Sequence, residues 1–277
     1  MLNRYINNLI SFLFYTVTIF FTTFYIFILL NTNSENFEYI YNLFTSYYFV
    51  VPLLGSFAGL IGSSFWGGTK SFLGKGLLFI SIGLFLQALG QATNSYYINV
   101  LGVETPYPSL AEFALVGSLL SYILGTYNLS LVSQLKTSIQ FRGIRISAIV
   151  IGFMAFFLAI YHYVVYHDST VEPSITITML EIMYPLLQGI YIAIAVLTLY
   201  ILKNLMGGTF LQPFFLLLLG LILLYIADSV FLWVPYFTSD GFYLSSYILI
   251  GLGVVFFGKL GQSEHLKFSD KTNNGQQ

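Results

Sequence analysis

Eight long apolar stretches, separated by short polar segments, run along the chain. Each stretch holds about 20 residues or more, which is the length a helix needs to cross a hydrocarbon core about 30 Å thick. The pattern therefore predicts an all-α integral membrane protein with eight transmembrane helices. The predicted spans 1 to 8 are Leu9–Leu30, Ser46–Phe65, Leu73–Thr93, the stretch from Pro108 to Leu131, Ile146–Tyr166, Ile177–Leu202, Phe210–Phe237 and Phe242–Leu260.

The division of the chain follows from these spans. Residues 1–261 form one polytopic membrane domain, with a seven-helix-like core at about 44–261 and an added N-terminal helix. We interpret the first apolar run as a retained span, because it is long and no small-residue cleavage site follows it. Residues 262–277 are polar, and we expect a short disordered tail there.

Basic residues fix the expected orientation. With eight spans, the N-terminus, the even-numbered connections and the C-terminus lie on one side, and all ten Lys and Arg residues fall there. The positive-inside rule makes that side cytoplasmic, so we expect a multi-pass protein of the cell membrane with both termini in the cytoplasm. Nine of the eleven acids lie on or toward the other side. These acids are Glu35, Glu38, Glu104, Glu112, Asp168, Glu172, Glu181, Asp228 and Asp240.

Composition narrows the function classes. The 277 residues are 57% apolar and only 8% charged, against about 25% charged in a soluble domain. A nucleic-acid-binding protein needs a basic footprint that this chain lacks. The chain has no cysteine, which excludes disulfides, thiolate catalysis and iron–sulfur sites. We expect no cofactor, and no enzymatic activity because no residue set forms a nucleophile–base pair.

An internal repeat is indicated by glycine spacing in the odd-numbered spans. Gly83 is followed eight residues later by Gln91, and Gly220 is followed eight residues later by Asp228. Gly152 lies 69 residues after Gly83 and 68 before Gly220. The spacing predicts three consecutive helix hairpins of one ancestral type.

The returning helices carry matching positions. Glu112 lies 29 residues after Gly83, and Glu181 lies 29 residues after Gly152. Tyr122 and Tyr191 each follow their glutamate by ten residues. This coincidence is the best support for the repeat.

Polar residues within the spans are the candidate site. Charged side chains in a bilayer face protein or water, because insertion at the centre costs about 2.5–3.5 kcal/mol. Judged by their distance from the ends of the predicted spans, all these polar residues lie in the half of the bundle nearer the outside. They predict an outward-facing acidic pocket. The candidate ligand-binding residues are Glu112, Glu181, Asp228, His162, Gln87, Gln91, Tyr184 and Trp233.

A small cation or amine from outside suits this chemistry, since acids supply ion pairing and aromatic faces supply cation–π attraction. The aromatic residues expected along the pocket are Tyr96, Tyr97, Tyr107, Tyr161, Tyr184, Trp233, Tyr236, Tyr243 and Tyr247.

Each candidate also has a structural interpretation. Glu112 and Glu181 stand three residues after Ser109 and Thr178, which is the capping-box pattern at a helix start. The aromatic residues are typical of an interfacial belt. A metal site at His162, Glu181 and Asp228 is a weaker alternative, since the third histidine, His265, is cytoplasmic by topology.

Two further surfaces are candidates for helix packing or for binding a partner. Gly55-x-x-x-Gly59, with Ser63 in register, is a helix-packing face that serves either within the bundle or in a dimer. The basic residues of the longest cytoplasmic loop, Lys136, Arg142 and Arg145, either dock a protein partner or anionic lipid, or act only as topology determinants.

The segment Thr105-Pro-Tyr-Pro-Ser-Leu-Ala-Glu112 resembles the Pro-aromatic-Pro-Ser-x-Ala-Asp signature of a multi-helix membrane sensor region. That region precedes diguanylate cyclase and phosphodiesterase domains in bacterial signalling proteins. Trp66, the Tyr184-Pro185-Leu-Leu segment and the Ala227-Asp228-x-x-Phe231 segment resemble it in the same order, so the resemblance covers about Trp66 to Gly258.

The resemblance implies an outward-facing sensory module. Glu112 replaces the usual Asp, a span is added at the N-terminus, and no cyclase or phosphodiesterase domain follows in this sequence. We therefore expect a stand-alone sensory or receptor-like protein that signals through a separate partner. A cation- or proton-coupled transporter and a scaffold subunit of a membrane complex are the alternatives. Apolar inner halves of the spans favour sensing over transport.

Overall fold

A computed structural model describes residues 2–103, 105–132, 175–205, 210–230 and 234–274, together with positions 143, 146–147, 150–154, 157 and 161. The described residues are helical apart from short connections. Seven helical segments among them are long and apolar enough to cross a membrane. The protein is therefore a multi-pass, all-helical membrane protein in the part of the chain that the structure describes. Predicted span 5, Ile146–Tyr166, is described only in part, at positions 146–147, 150–154, 157 and 161.

Eight α-helices are numbered in chain order. They are α1 (Leu2–Leu30), α2 (Phe37–Tyr47), α3 (Val50–Phe65), α4 (Phe72–Tyr96), α5 (Leu110–Val132), α6 (Ile175–Leu205), α7 (Leu211–Val230) and α8 (Tyr236–Asn274). Predicted span 2, Ser46–Phe65, corresponds to α3 and the last two residues of α2, and the two helices are separated at Tyr48 and Phe49. Pro52 lies in the first turn of α3, where a missing N–H leaves no bond unmade.

The helices from α3 to α8 form a closed ring. Each packs against the next helix in this numbering, so that α5 contacts α6 across residues 133–174 of the sequence, and α8 packs against α3 to complete the circuit. Helix α1 lies outside the ring on α3 and α8, which fits its interpretation as an addition to the core. Side chains that point inward from the ring therefore meet in one interior.

Small residues allow α3 and α8 to approach closely. A Cβ added at Gly55 would lie 3.3 Å from the Cα of Gly251, and one at Gly62 would lie 3.2 Å from the Cα of Gly258. A Cβ at Gly59 would lie 3.2 Å from the Cβ of Val254. We call these facing positions the glycine seam. The Gly-x-x-x-Gly face thus serves within the bundle, which the sequence left open.

Two of the three glycines that mark the predicted repeat lie at close helix contacts, whereas no described atom lies within 4 Å of a Cβ added at the third, Gly152. The ring of Tyr122 covers Gly83, so a Cβ there would lie 2.4 Å from the ring. In the last hairpin Gly220 lies against the backbone of α8, and its Cβ would lie 2.7 Å from the nitrogen of Ile250. Both glycines are therefore positions of close helix approach.

One predicted boundary near the C-terminus needs correction. Predicted span 7 was extended to Phe237, but the next helix, α8, already begins at Tyr236. Pro235 explains this boundary, because proline disfavours helix in the residue before it and is favourable at a helix start.

Helix α8 extends past the last apolar residues as far as Asn274, and the disorder expected of residues 262–277 stays a prediction. Gln262, the first residue of that tail, is buried, and its side-chain oxygen accepts a hydrogen bond of 2.9 Å from Asn7 of α1. Four of the twelve residues that follow, Glu264, Leu266, Lys267 and Lys271, have high helix propensity, and the helix continues beyond the apolar span.

Candidate functional site

Three tyrosines fill the interior of the ring. Tyr122 of α5, Tyr191 of α6 and Tyr247 of α8 are among the largest fully buried side chains, each with 0% exposure. The rings of Tyr122 and Tyr191 meet edge to face, with centroids 6.0 Å apart. Side chains on a helix lean toward its N-terminus, and all three helices begin at the same end of the bundle. The three hydroxyls therefore point toward that end, which also carries Glu112, Asp228 and Asp240 and which we call the acidic end.

Asp228 of α7 is hydrogen-bonded to both neighbouring helices of the ring. Its Oδ1 accepts a hydrogen bond of 2.5 Å from the Tyr243 hydroxyl of α8. Its Oδ2 accepts one of 2.6 Å from the Gln188 side-chain amide of α6. One carboxylate thus joins three helices. Bonds to a charged acceptor are about twice as strong as neutral ones.

Gln87 of α4 makes the second set of bonds between helices. Its amide nitrogen donates to Ser118 Oγ of α5 at 2.8 Å, and its amide oxygen accepts from the Tyr247 hydroxyl at 3.1 Å. Gln91, one turn further along α4, also interacts with the Tyr247 hydroxyl. The sequence predicts both glutamines at the membrane depth of Asp228. In the structure, both side chains interact with the hydroxyl of Tyr247. We call Gln87, Gln91, Ser118, Gln188, Asp228, Tyr243 and Tyr247 the polar network.

Aromatic rings line the network on the side of α2 and α8. Tyr48, which follows α2, stacks on Phe44 with centroids 5.4 Å apart and on Tyr247 at 6.3 Å. Tyr243 stacks on Tyr247 at 6.4 Å. These separations fall within the favourable range for aromatic pairs, which contribute about 0.5–1.5 kcal/mol each beyond burial.

Glu112 caps its own helix. Its Oε2 accepts hydrogen bonds from the Ser109 backbone nitrogen at 2.5 Å and from the Ser109 hydroxyl at 2.6 Å. Ser109 Oγ in turn accepts from the Ala111 nitrogen at 3.0 Å. The capping-box prediction for this pair is confirmed. Glu112 also interacts electrostatically with Tyr184, so it lies beside the network, and its ligand-binding role stays a prediction.

The second predicted capping box is wrong. Helix α6 already includes Ile175, so Thr178 lies inside the helix and has no free helix start to cap. The backbone of Glu181 belongs to α6, one turn before Tyr184, and its side chain lies outside the described residues. His162 and Trp233 lie outside the described residues as well, and so do Lys136, Arg142 and Arg145 of the cytoplasmic loop.

Tyr184 of α6 packs against the buried core and interacts electrostatically with Asp228 and Glu112, and its ligand-binding role stays a prediction. Of the eight candidate residues, the structure thus gathers Gln87, Gln91, Asp228 and Tyr184 at one level of the ring.

Sequence reasoning missed two members of this region. Gln188 is an amide in an apolar helix, and the rule that selected Gln87 would also have selected it. Asp240 is buried to 8% exposure and accepts a hydrogen bond from Tyr41 of α2. It was assigned to a loop because predicted span 8 began at Phe242, six residues after the true helix start.

Two hydroxyls in the interior lack partners. Tyr122 and Tyr191 make no hydrogen bond with any residue that the structure describes, although both side chains are fully buried. Each interacts electrostatically with Asp228 and Tyr247. Buried polar groups are nearly always hydrogen-bonded in native proteins, so these two oxygens are available to a small polar guest.

The donor set limits what the site can hold. No group of three or more acidic, histidine or cysteine side chains that could hold a metal ion occurs among the described residues. Carboxylate, phenol, amide and hydroxyl oxygens dominate instead, as hard cations prefer. Comparison of the chain with protein-family models, with curated proteins and with solved structures finds no match.

Proposed function

We propose that this chain is a sensory, receptor-like protein of the cell membrane, with cytoplasmic termini and no enzymatic activity. A small cation from outside binds at Asp228 in the polar network. The resulting helix displacement is passed to a separate protein on the cytoplasmic side.

The observation that carries the proposal is the position of the Asp228 carboxylate. It is shared between Tyr243 of α8 and Gln188 of α6, and no described Lys or Arg is ion-paired with it. In the topology predicted from the sequence, all ten basic residues lie on the opposite side of the membrane. A carboxylate within the bilayer without a basic partner is costly, and a bound cation removes that cost.

The surroundings favour a cation over other small ligands. Tyr48, Tyr247 and Tyr243 form a continuous stack of rings, and the Tyr243 hydroxyl bonds to the acid. The π faces of such rings attract cations by about 0.5–2 kcal/mol, more when water is excluded.

Sensing is supported better than transport by the layer beneath the network. Leu77, Ile80 and Leu84 of α4 and Ile250 and Val254 of α8 are all 0% exposed and pack together there. A transport path needs polar groups through this depth. Ser81, the polar residue of α4 in this layer, donates instead to the Leu77 carbonyl of its own helix at 2.6 Å.

Helix α8 offers a route for the signal. Its 39 residues correspond to about 58 Å of helix, almost twice the hydrocarbon thickness. A cation that draws Asp228 away from Tyr243 changes a contact of α8 at the acidic end, and a rigid helix carries that change to its far end. In the topology predicted from the sequence, the loop with Lys136, Arg142 and Arg145 lies on the cytoplasmic side of the membrane, and we expect it to supply a basic surface for the partner.

The test is a set of thermal unfolding curves of purified protein in detergent. Tetramethylammonium, sodium and potassium chlorides are compared with N-methyl-D-glucamine chloride at equal ionic strength. A cation at 100 times its Kd stabilises the protein by about 2.7 kcal/mol, and Asp228→Asn abolishes the shift. Glu38→Gln, an exposed acid at the same end of the bundle, keeps it. Equal curves in all four salts contradict the proposal.

A further inference from the structure

The two unpartnered hydroxyls at the centre of the ring call for an occupant. Tyr122 and Tyr191 come from adjacent helices, are completely buried and touch ring to ring. A buried phenol oxygen without a partner loses the hydrogen bonds it made to water, so two of them side by side are costly. An occupant that bonds to both removes that cost.

The occupant has to be small. The Tyr122 ring is packed against the backbone of α4 at Gly83, where even one added Cβ would overlap it. Leu84 and Leu119 belong to the same buried cluster as the two tyrosines and are at most 1% exposed. An organic amine would have to displace this packing, whereas a single ion or water molecule needs only the space of one atom.

The occupant has to be positive. Asp228 accepts a hydrogen bond from Gln188, which lies three residues before Tyr191 on α6, and no basic side chain among the described residues is paired with it. A neutral water molecule would satisfy the hydroxyls and leave the carboxylate unbalanced. A single positive charge balances one carboxylate.

We propose that Asp228, Tyr122, Tyr191 and the amide oxygen of Gln87 form an internal site for a monovalent alkali cation. This inference rests on the proposed function and specifies its ligand as an alkali metal ion. All the donors are oxygen atoms, which suits sodium or potassium. The phenols ligate as neutral groups, so no proton transfer is required.

The test measures radioactive sodium binding to purified wild-type protein, with displacement by unlabelled sodium or potassium chloride. We expect one sodium ion per chain. Tyr122→Phe and Tyr191→Phe each weaken the apparent affinity about tenfold, because each removes one oxygen ligand from a charged ion. Tyr127→Phe, an exposed position on α5, is the matched control and leaves the affinity unchanged.

A structural role for the hydroxyls gives a different result. Phenylalanine keeps the ring and removes an unpartnered oxygen, so stability in N-methyl-D-glucamine chloride stays equal or rises in both variants. Loss of sodium binding in a variant that is otherwise as stable therefore identifies a ligand role. Undiminished sodium binding in both variants overturns the inference, as does wild-type protein that binds no alkali ion.

Different experimental outcomes contradict the receptor proposal and the alkali-ion proposal. If tetramethylammonium stabilises the wild type but not Asp228→Asn, while sodium and potassium have no effect, the receptor proposal stands and the alkali-ion site is wrong. If no cation has any effect, water alone occupies the interior and both proposals are wrong.

Discussion

The glycine seam and the polar network both join α8 to the rest of the bundle, and they do so by different physical means. In the seam, Gly62 of α3 lies against Gly258 with no side chain between the two backbones. In the network, Tyr243 and Tyr247 of α8 reach across to Asp228 and Gln87 through directional hydrogen bonds.

The seam and the network differ in whether their contacts can be exchanged for contacts with a ligand. Close backbone contact in the seam has no alternative partner and is stabilised by van der Waals packing alone. The network bonds can each be exchanged for a bond to an ion or to water. We therefore expect the seam to hold α8 in place and the network to sense.

The largest expected loss of stability comes from a substitution in the glycine seam. Gly62→Leu inserts a branched side chain where even a Cβ lies 3.2 Å from the Gly258 backbone, and it lowers the free energy of unfolding by about 3 kcal/mol. Chemical unfolding in detergent measures this. The control is Ser64→Leu, an exposed position on the same helix, which stays within about 0.5 kcal/mol of the wild type. Equal effects of the two variants would show that α3 and α8 do not meet at Gly62.

The next largest loss of stability is expected from replacing Asp228, the acid of the polar network. Asp228→Leu leaves the Gln188 amide and the Tyr243 hydroxyl without their acceptor, and we expect a loss of about 2 kcal/mol. Asp228→Asn retains an acceptor oxygen and loses less. A leucine variant as stable as the wild type would mean that these bonds do not hold α6, α7 and α8 together.

A smaller loss of stability is expected from removing the helix cap at the acidic end. Ser109→Ala removes the acceptor for the Ala111 nitrogen and the partner of Glu112, which costs about 1 kcal/mol. The same unfolding experiment measures it, and Ser245→Ala, at an exposed position of α8, is the control. Because Glu112 acts here as a cap, Ser109→Ala should leave cation-induced stabilisation unchanged. Loss of the cation effect in this variant would place the cap within the ligand site.

The smallest effect is one hydrogen bond between helices. A double-mutant cycle of Gln87→Leu and Tyr247→Phe isolates the 3.1 Å bond between these side chains. Bonds of this kind in membrane bundles average about 0.6 kcal/mol, and we expect a coupling of that size. Additive losses from the two substitutions would show that Gln87 and Tyr247 act independently.

The sequence anticipated much of the site. Gln87, Gln91 and Asp228 were selected because polar groups in apolar helices must face protein, and this physical rule does not depend on the fold. The cap at Glu112 was predictable because it is local, depending on a residue three positions away.

Other features depended on where helices begin. Thr178 looked like a cap and Asp240 looked like a loop residue because hydropathy locates a span but not its first turn. Helix α6 includes Ile175 and α8 begins at Tyr236, which moves both residues into helix. The start of a helix is set by its proline, its caps and its tertiary contacts, and apolar runs report none of these directly.

By itself the sequence determined that the chain is a helical membrane protein with several spans, since 57% apolar composition in long runs permits few other structures. It also determined which polar side chains must face inward. Only the tertiary structure decided that Tyr122 and Tyr191 meet in the interior, that Asp228 joins Gln188 to Tyr243, and that the glycines of α3 face those of α8. Each helix can rotate and shift against its neighbours without changing its own hydrophobic pattern, so the pairing between helices is fixed only by how all of them pack together.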